Sequence, residues 1–300
     1  MKVAVTGSSG FIGSALLPAL REDGHSVLRI VRRQPAGVDE VRWDPERRRL
    51  NPAALSEVDA VVHLAGVGVG DRRWTESRKR AILSSRVEGT TTVSEAIAAA
   101  EPPPRVLVSS SGIDWYADLG DQPVDETGPT GSTFLAEVCR QWEASTAAAE
   151  QAGVRVAHLR TGLVCGPGGG LVGRILPLFK LGTGGRLASG RQYWSWISLV
   201  DQVGAIRHVL GRDDISGAVN ATGPDPLTNR DFTRVLAGVL RRPAVLPVPG
   251  FALRIAVGDF ADEAIISGHR VLPKVLEDTG YHFRHDTAEK ALRWATGREE

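Results

Sequence analysis

The sequence predicts an α/β protein: a doubly wound parallel sheet completed by a small, mostly helical C-terminal cap. Three observations carry this. Short apolar runs alternate with helical patterns from Val3 to Leu159. A glycine-rich turn joins the first apolar run to the first helical one. Beyond Leu163 the texture changes to Gly-rich loops, then to helical stretches broken by prolines. An unbroken β–α alternation implies parallel strands with helical crossovers.

Val3-Ala4-Val5 reads as a strand buried on both faces. Thr6-Gly7-Ser8-Ser9-Gly10-Phe11-Ile12-Gly13 follows, and Ile12, Leu16, Ala19 and Leu20 then recur at helical spacing. Gly24 and His25 close that helix, and 26–31 is the next strand. Strand, turn, helix and strand in succession are the Rossmann-type context that gives a glycine pattern its meaning. Gly7 permits the tight turn, Gly10 lets a pyrophosphate approach the backbone, and Gly13 lets helix and strand pack closely. The free N–H groups of the first helical turn then face the phosphates.

The second strand ends at Val31, followed by Arg32 and Arg33. An NAD-selective domain would place an acidic residue here for the ribose 2′-hydroxyl. Guanidinium groups instead suit a 2′-phosphate. NADP(H) is therefore the expected cofactor, with Arg32 ahead of Arg33 because it directly follows the strand.

The stretch WDPERRRLNPAAL is polar and irregular, with residues 47–49 as a solvated hairpin tip. Residues 60–64 form a buried strand, and His63 within it is read as a core histidine. A long helix covers about 73–100 and stops at Pro102–Pro104. A strand at 106–108 ends in SSSG, a helix spans about 133–151, and 154–159 is the following strand. A short helical run at 174–181 lies between two Gly-rich loops. WSWISLVDQVGAIRHVL reads as a strand running into a helix, and 218–221 as a last strand. The expected division is a dinucleotide-binding domain at 1–165, completed by about 194–221. Residues 166–193 and 222–300 would form the substrate-facing cap.

Composition narrows the function. The chain has 300 residues, 42% of them apolar, and a formal net charge of +1. That balance speaks against nucleic acid as a partner, since such binders show a basic face. No apolar run approaches the roughly 20 residues that span a bilayer. The opening residues do not read as a signal peptide. Cys139 and Cys165 are the only cysteines and show no metal-ligand spacing. They read as two reduced thiols in a cytoplasmic protein that binds no metal. The expected partner is a small-molecule substrate. Nothing in the sequence sets an oligomeric state.

The turn TGSSGFIG has GxxGxxG spacing and resembles the extended short-chain dehydrogenase/reductase family. WDPERRRLNPAAL, HLAG, RRWTESRKRAILSSR, FLAEVCRQWEA, LRTGLVCGPGGG and LPKVLEDTGYHFRHDTAEKAL, in that order, resemble one subgroup of it. This is the "epimerase family protein" group related to bacterial YfcH, within the NAD-dependent epimerase/dehydratase superfamily. The resemblance spans essentially the whole chain. It implies bound NADP(H), a cap of unknown function and no particular reaction. By position, Gly7, Ser8, Ser9, Gly10, Phe11, Ile12 and Gly13 would hold the pyrophosphate. Leu64, Ala65 and Gly66 would line the cofactor after the third main strand, together with Ser109. Arg86 would reach the phosphates or the nicotinamide ribose, and Leu163 would touch the nicotinamide ring.

Catalytic members of that family carry a serine after this strand and a Tyr-Lys pair on the next helix. The lysine lowers the phenol's pKa so that it can exchange protons near neutrality. Here Ser111 stands at the serine position. Phe134 or Leu135 replaces the tyrosine, and Val138 or Cys139 the lysine. Tyr116 is the nearest substitute phenol and is expected, with Ser111, to face the cleft. Val67 stands where many relatives of the subgroup have an acidic residue. Trp194 and Trp196 are read equally as stacking platforms or as core. Two functions follow: an NADP(H)-dependent oxidoreductase or epimerase acting on a small polar, sugar-like molecule, or a non-catalytic NADP(H)-binding sensor or scaffold.

Overall fold

A computed structural model describes residues 1–299. Lys2–Thr6 (β1) lies inside an eight-stranded sheet. Ser26–Val31 (β2), Glu40–Asp44 (β3) and Arg49–Leu50 (β4) follow on one side. Ala60–His63 (β5), Val106–Gly112 (β6), Arg155–Thr161 and Gly217–Ala221 follow on the other. All neighbours are parallel except β3 and β4. The strand order reverses between β1 and β5, which is where open α/β sheets bind ligands.

Strand residues alternate between two cores. Val3, Val5, Val62 and Val108 point to a layer holding Leu16 and Leu20 of Phe11–Glu22 (α1), with Val203 and Ile206 of the helix Leu199–Leu210. Ala4, Val61 and Leu107 point the other way, onto Val93 and Ile97 of Glu76–Ala98 (α2). Helices on both faces explain why the strands are apolar at successive positions.

Three expectations needed adjustment. The stretch taken as irregular supplies β3 and β4; Glu40, Arg42 and Asp44 hide β3, while Trp43 is buried in it. The helix expected at 133–151 is two helices, Phe134–Ala144 (α3) and Ala147–Gln151. Ser145 and Thr146 interrupt it because their hydroxyls donate back to the carbonyls of Gln141 and Glu143, both at 2.7 Å. The strand Trp196–Ser198 pairs with Leu163–Gly166 outside the main sheet and feeds the helix Leu199–Leu210.

The C-terminal region contains the helices Asn229–Leu240, Gly250–Val257, Lys274–Asp278 and Ala288–Ala295. It has its own core, in which Phe232, Leu236 and Leu292 pack with Phe179, Trp194 and Trp196. Among the described residues no helix is long and apolar enough to cross a membrane.

Candidate cofactor cleft and active site

The glycine turn is fixed by contacts that exclude any Cβ. Gly7 has a φ of +64°, and a Cβ there would stand 2.7 Å from Leu64 C and 2.8 Å from Ala65 N. A Cβ on Gly13 would collide with the Gly7 carbonyl and lie 2.8 Å from Ser8 Cα. Gly10 differs: within 4 Å its Cβ would meet only Gly7 O, at 3.2 Å. Gly10 is also the N-cap of α1, and no side chain caps that end. Bare N–H groups at a helix start are an anion site, and here a second feature agrees. A cleft of about 980 Å³ opens at this point, lined by Gly7, Ser8, Ser9 and Gly10. Its donors and its Cβ-free wall fit a pyrophosphate.

Phe11 and Ile12 contribute backbone only. The Phe11 ring lies against the loop at 166–170, where a Cβ on Gly166 or Gly170 would come within 2.9 and 2.8 Å of it. The Phe11 ring thus accounts for Gly166, Gly169 and Gly170 without a ligand, while Gly168 has a φ of +71°. Ile12 packs on the core.

The far rim of the cleft carries Arg29, Arg32 and Arg33. Arg33 is not free, contrary to expectation. Its Nη1 and Nη2 grip Glu40 Oε2 and Oε1 at 2.6 and 2.5 Å. The Arg33 fork, with the N–H of Ala36, holds the Glu40 carboxyl down at about 2. Arg29 makes a second ion pair to Glu40 at 2.9 Å, and its Nε donates to Ser8 Oγ at 3.3 Å. Arg32 has no side-chain partner among the described residues and remains available. Arg29 was missed because it lies inside an apolar strand, where a lone arginine gives no signal.

The floor of the cleft is the end of β5. Thr6 Oγ1 accepts from the N–H groups of Leu64 and Ala65 at 3.1 and 3.2 Å. The same hydroxyl shares a hydrogen bond of 2.8 Å with His63 Nδ1. Burial holds His63 down at about 4, so it is a neutral core residue. Leu64, Ala65, Gly66 and Val67 line the cleft. Arg86 does not. It is buried, with Nη1 donating to Val67 O at 3.0 Å and Ile82 O at 3.1 Å, and its guanidinium 4.7 Å from the Trp142 ring centre. It braces the wall from below rather than reaching into the cleft.

At the end of β6 the structure revises the expected catalytic set. Ser109 is fully buried inside the sheet, so its hydroxyl does not face the cleft. Ser111 is buried and donates to Glu143 Oε1 at 2.7 Å. Tyr116, expected to face the cleft, is 1% exposed. Its hydroxyl donates to Asn220 Oδ1 at 2.7 Å and accepts from Arg160 Nη1 at 3.0 Å. Burial pushes this phenol up to about 12. Asn220 Nδ2 in turn donates to Leu272 O at 2.9 Å, so Tyr116 ties the sheet edge to the C-terminal region.

Asp114 is the ionisable group that the sequence reading overlooked. It follows Ser111 by three residues, in the single turn at Ile113–Trp115. Burial pushes its carboxyl up; His269 and Arg86 oppose this and Glu263 adds to it. A Cβ on neighbouring Gly112 would lie 3.4 Å from Asp114 Oδ2 and equally from Cys139 Sγ. The residue thus sits beside α3. The only sequence signal was an acidic residue within an apolar stretch after a strand.

The positions of the absent Tyr-Lys pair are apolar. Phe134 packs edge-on against Trp74 at 5.4 Å, and Trp74 meets Phe260 at the same distance. Leu135 and Val138 are buried in that cluster. Glu263 accepts the N–H groups of Phe134 and Leu135 at 3.3 and 3.1 Å, so the C-terminal region caps α3. Leu163 is half-buried on the Trp196–Ser198 strand pair. Trp194 and Trp196 are core residues, and Cys139 and Cys165 are buried thiols pushed up to about 12.

Comparison with known proteins gives the same outline. Residues 3–221 match the NAD dependent epimerase/dehydratase family, and residues 248–295 match a domain of unknown function (DUF1731). An "Epimerase family protein Mb2239" of Mycobacterium bovis is 46% identical over 296 residues, covering 99% of this chain and 98% of its own. The human epimerase family protein SDR39U1 is 33% identical, covering 98% and 99%. A crystal structure of human SDR39U1 (isoform 2) with NADPH superposes with a TM-score of 0.92 at 32% identity, covering all of both chains. A nucleoside-diphosphate sugar epimerase from Corynebacterium glutamicum gives 0.83 at 33% identity, covering all of this chain and 59% of that one.

Proposed function

The chain belongs to the NAD dependent epimerase/dehydratase family, and on that footing we propose that it is an NADP(H)-dependent oxidoreductase or epimerase acting on a small polar molecule, with sugar derivatives the leading class. One observation carries the reading. The bare N-terminus of α1 and the Cβ-free turn open into a cleft whose far rim holds Arg32, unpaired among the described residues. NADPH in the human relative supports NADP(H) over NAD(H).

Gly7, Gly10 and the first N–H groups of α1 would hold the pyrophosphate, and Arg32 the 2′-phosphate. Arg29 would steady the turn through Ser8. Leu163 would shape the nicotinamide side, and residues 166–193 and 222–300 the substrate side. The bound cofactor supplies hydride transfer. Asp114 is the candidate for proton handling in place of Tyr116, because it directly follows the strand end where ligands bind and is half-buried, whereas the Tyr116 hydroxyl is taken by Asn220 and Arg160. Ser111 positions Glu143 rather than touching substrate.

The test is a fluorescence titration with NADPH and NADH, followed by NADPH consumption against carbonyl compounds that include keto-sugars. Asp114→Asn should lower turnover about 10²–10⁴-fold, the usual loss of acid–base help, with NADPH affinity kept. Tyr116→Phe should leave turnover per folded molecule nearly unchanged. The apolar cluster at Phe134 favours a second reading, an NADP(H)-responsive binding protein. Tight NADPH binding with no carbonyl consumed would select it.

A further inference from the structure

One face of the helix Asn229–Leu240 is built from arginines and small residues. Arg230, Thr233, Arg234, Ala237 and Gly238 stand at i, i+3, i+4, i+7 and i+8, so they lie along one stripe. Arg241 and Arg242 beyond the helix and Arg186 from a neighbouring loop join them. These five arginines line one open cavity of about 580 Å³. Its floor is low, since a Cβ on Gly238 would meet nothing within 4 Å. Pro243, Ala244 and Val245 give it an apolar side. None of its lining residues belongs to the cofactor cleft.

The charge in this cavity is scarcely balanced. Arg234 pairs with Asp231 at 2.8 Å. Arg186 Nη1 donates to two uncharged carbonyls, Ala188 O at 2.9 Å and Ser189 O at 3.0 Å. The side chains of Arg230, Arg241 and Arg242 have no partner among the described residues. The whole chain has a net charge of only +1, so this is a local concentration. Arg230 and Arg234 stand four apart on one helix, which is repulsive. An anion across the stripe would relieve that repulsion.

We propose that this cavity binds a ligand carrying two or more linked phosphates. Guanidinium forks match phosphate oxygens in pairs. A single carboxylate would leave most of these forks unmatched, whereas linked phosphates present several anionic oxygens within one small volume. The cavity is of small-molecule size. Its apolar side suits the base of a nucleotide, and bare polyphosphate satisfies the same guanidiniums.

Isothermal titration of the full chain tests this, with tripolyphosphate and ATP as separate probes at about 0.15 M salt. The titration omits NADPH, which would itself suit the arginines, and is repeated in Gly10→Val, whose side chain would take the pyrophosphate's space in the cofactor cleft, so that binding there is told apart from binding at the arginines. One saturable site per chain is expected. Arg230→Ala combined with Arg242→Ala should weaken binding by about tenfold or more, the loss of a charge-assisted contact. Both side chains are exposed, so an unchanged melting temperature should accompany the loss. Equal affinity for both probes means that the phosphate chain is read, and tighter ATP adds the apolar side; either supports the site. No saturable binding overturns it, as does unchanged affinity in the double variant. Orthophosphate binding as tightly as tripolyphosphate also overturns it. Preferential capture of oligo-glutamate replaces it with an acidic protein partner.

Discussion

Arg160 and Glu143 form a two-pronged ion pair inside the protein, Nε to Oε1 at 2.8 Å and Nη2 to Oε2 at 2.9 Å. Their side chains are 5% and 8% exposed. Ser111 donates to the same Oε1. The strand end that resembles a catalytic serine site is therefore a polar joint between β6, its neighbour strand and α3. Glu143→Ala leaves the Arg160 guanidinium buried without a counter-charge and should cost about 3–5 kcal/mol. Ser111→Ala removes one neutral donor and should cost about 1 kcal/mol. Urea denaturation separates the two, and similar small losses would contradict the joint.

Gly10 and Gly13 should fail in different ways. A Cβ at Gly10 has one close neighbour, so Gly10→Val should fold while its side chain takes the pyrophosphate's space. Gly13→Val must displace the Gly7 carbonyl and the Ser8 backbone, so it should lose stability as well. Circular dichroism beside NADPH titration checks both. Unchanged NADPH affinity in folded Gly10→Val would remove its assigned role.

Arg32 and Arg33 are adjacent in sequence and unlike in structure. Arg32→Ala should weaken NADPH by about 1.5–3 kcal/mol, the range for a hydrogen bond to a charged group, and leave NADH nearly unchanged. Arg33→Ala instead leaves Glu40 to Arg29 and the Ala36 N–H, so it should loosen the cleft rim and affect both cofactors alike. Titrating both variants with both cofactors decides this. A phosphate-selective loss in Arg33→Ala alone would reverse the assignment.

The sheet was legible because burial on both faces writes itself into the strands as unbroken apolar runs such as Val3-Ala4-Val5. The glycine turn was legible because steric exclusion at Gly7 and Gly13 leaves glycine as the residue that fits. β3 was hidden because Glu40, Arg42 and Asp44 break its apolar pattern, and Glu40 is buried there only through its pairing with Arg29 and Arg33. The polar residues misled for another reason. A serine, tyrosine or arginine near a strand end looks the same whether it faces a cleft or a buried partner. Asn220, which holds Tyr116, is 104 residues away. No local pattern foretells such a partner, or that Arg33 belongs to Glu40 while Arg32 belongs to none of the described residues.

His63 gives a pH dependence whose sign follows from its burial. Its pKa in the fold is about 4, below its ordinary value of 6.5. The fold holds it neutral, and the unfolded chain takes up a proton first. Stability from this residue is therefore fully present above about pH 6.5 and is lost as the pH falls toward 4. The total lost is on the order of 3 kcal/mol at one pKa unit per 1.36 kcal/mol. Burial also lowers His158 and His208, so part of the acid slope belongs to them. Glu40, held at about 2, adds its own loss at lower pH. The informative quantity is thus the difference in slope between wild type and His63→Gln. Urea midpoints from pH 4 to 7 should fall more steeply toward acid in the wild type. Parallel slopes would mean that His63 titrates alike in folded and unfolded chains, against its place between Thr6 and Trp43.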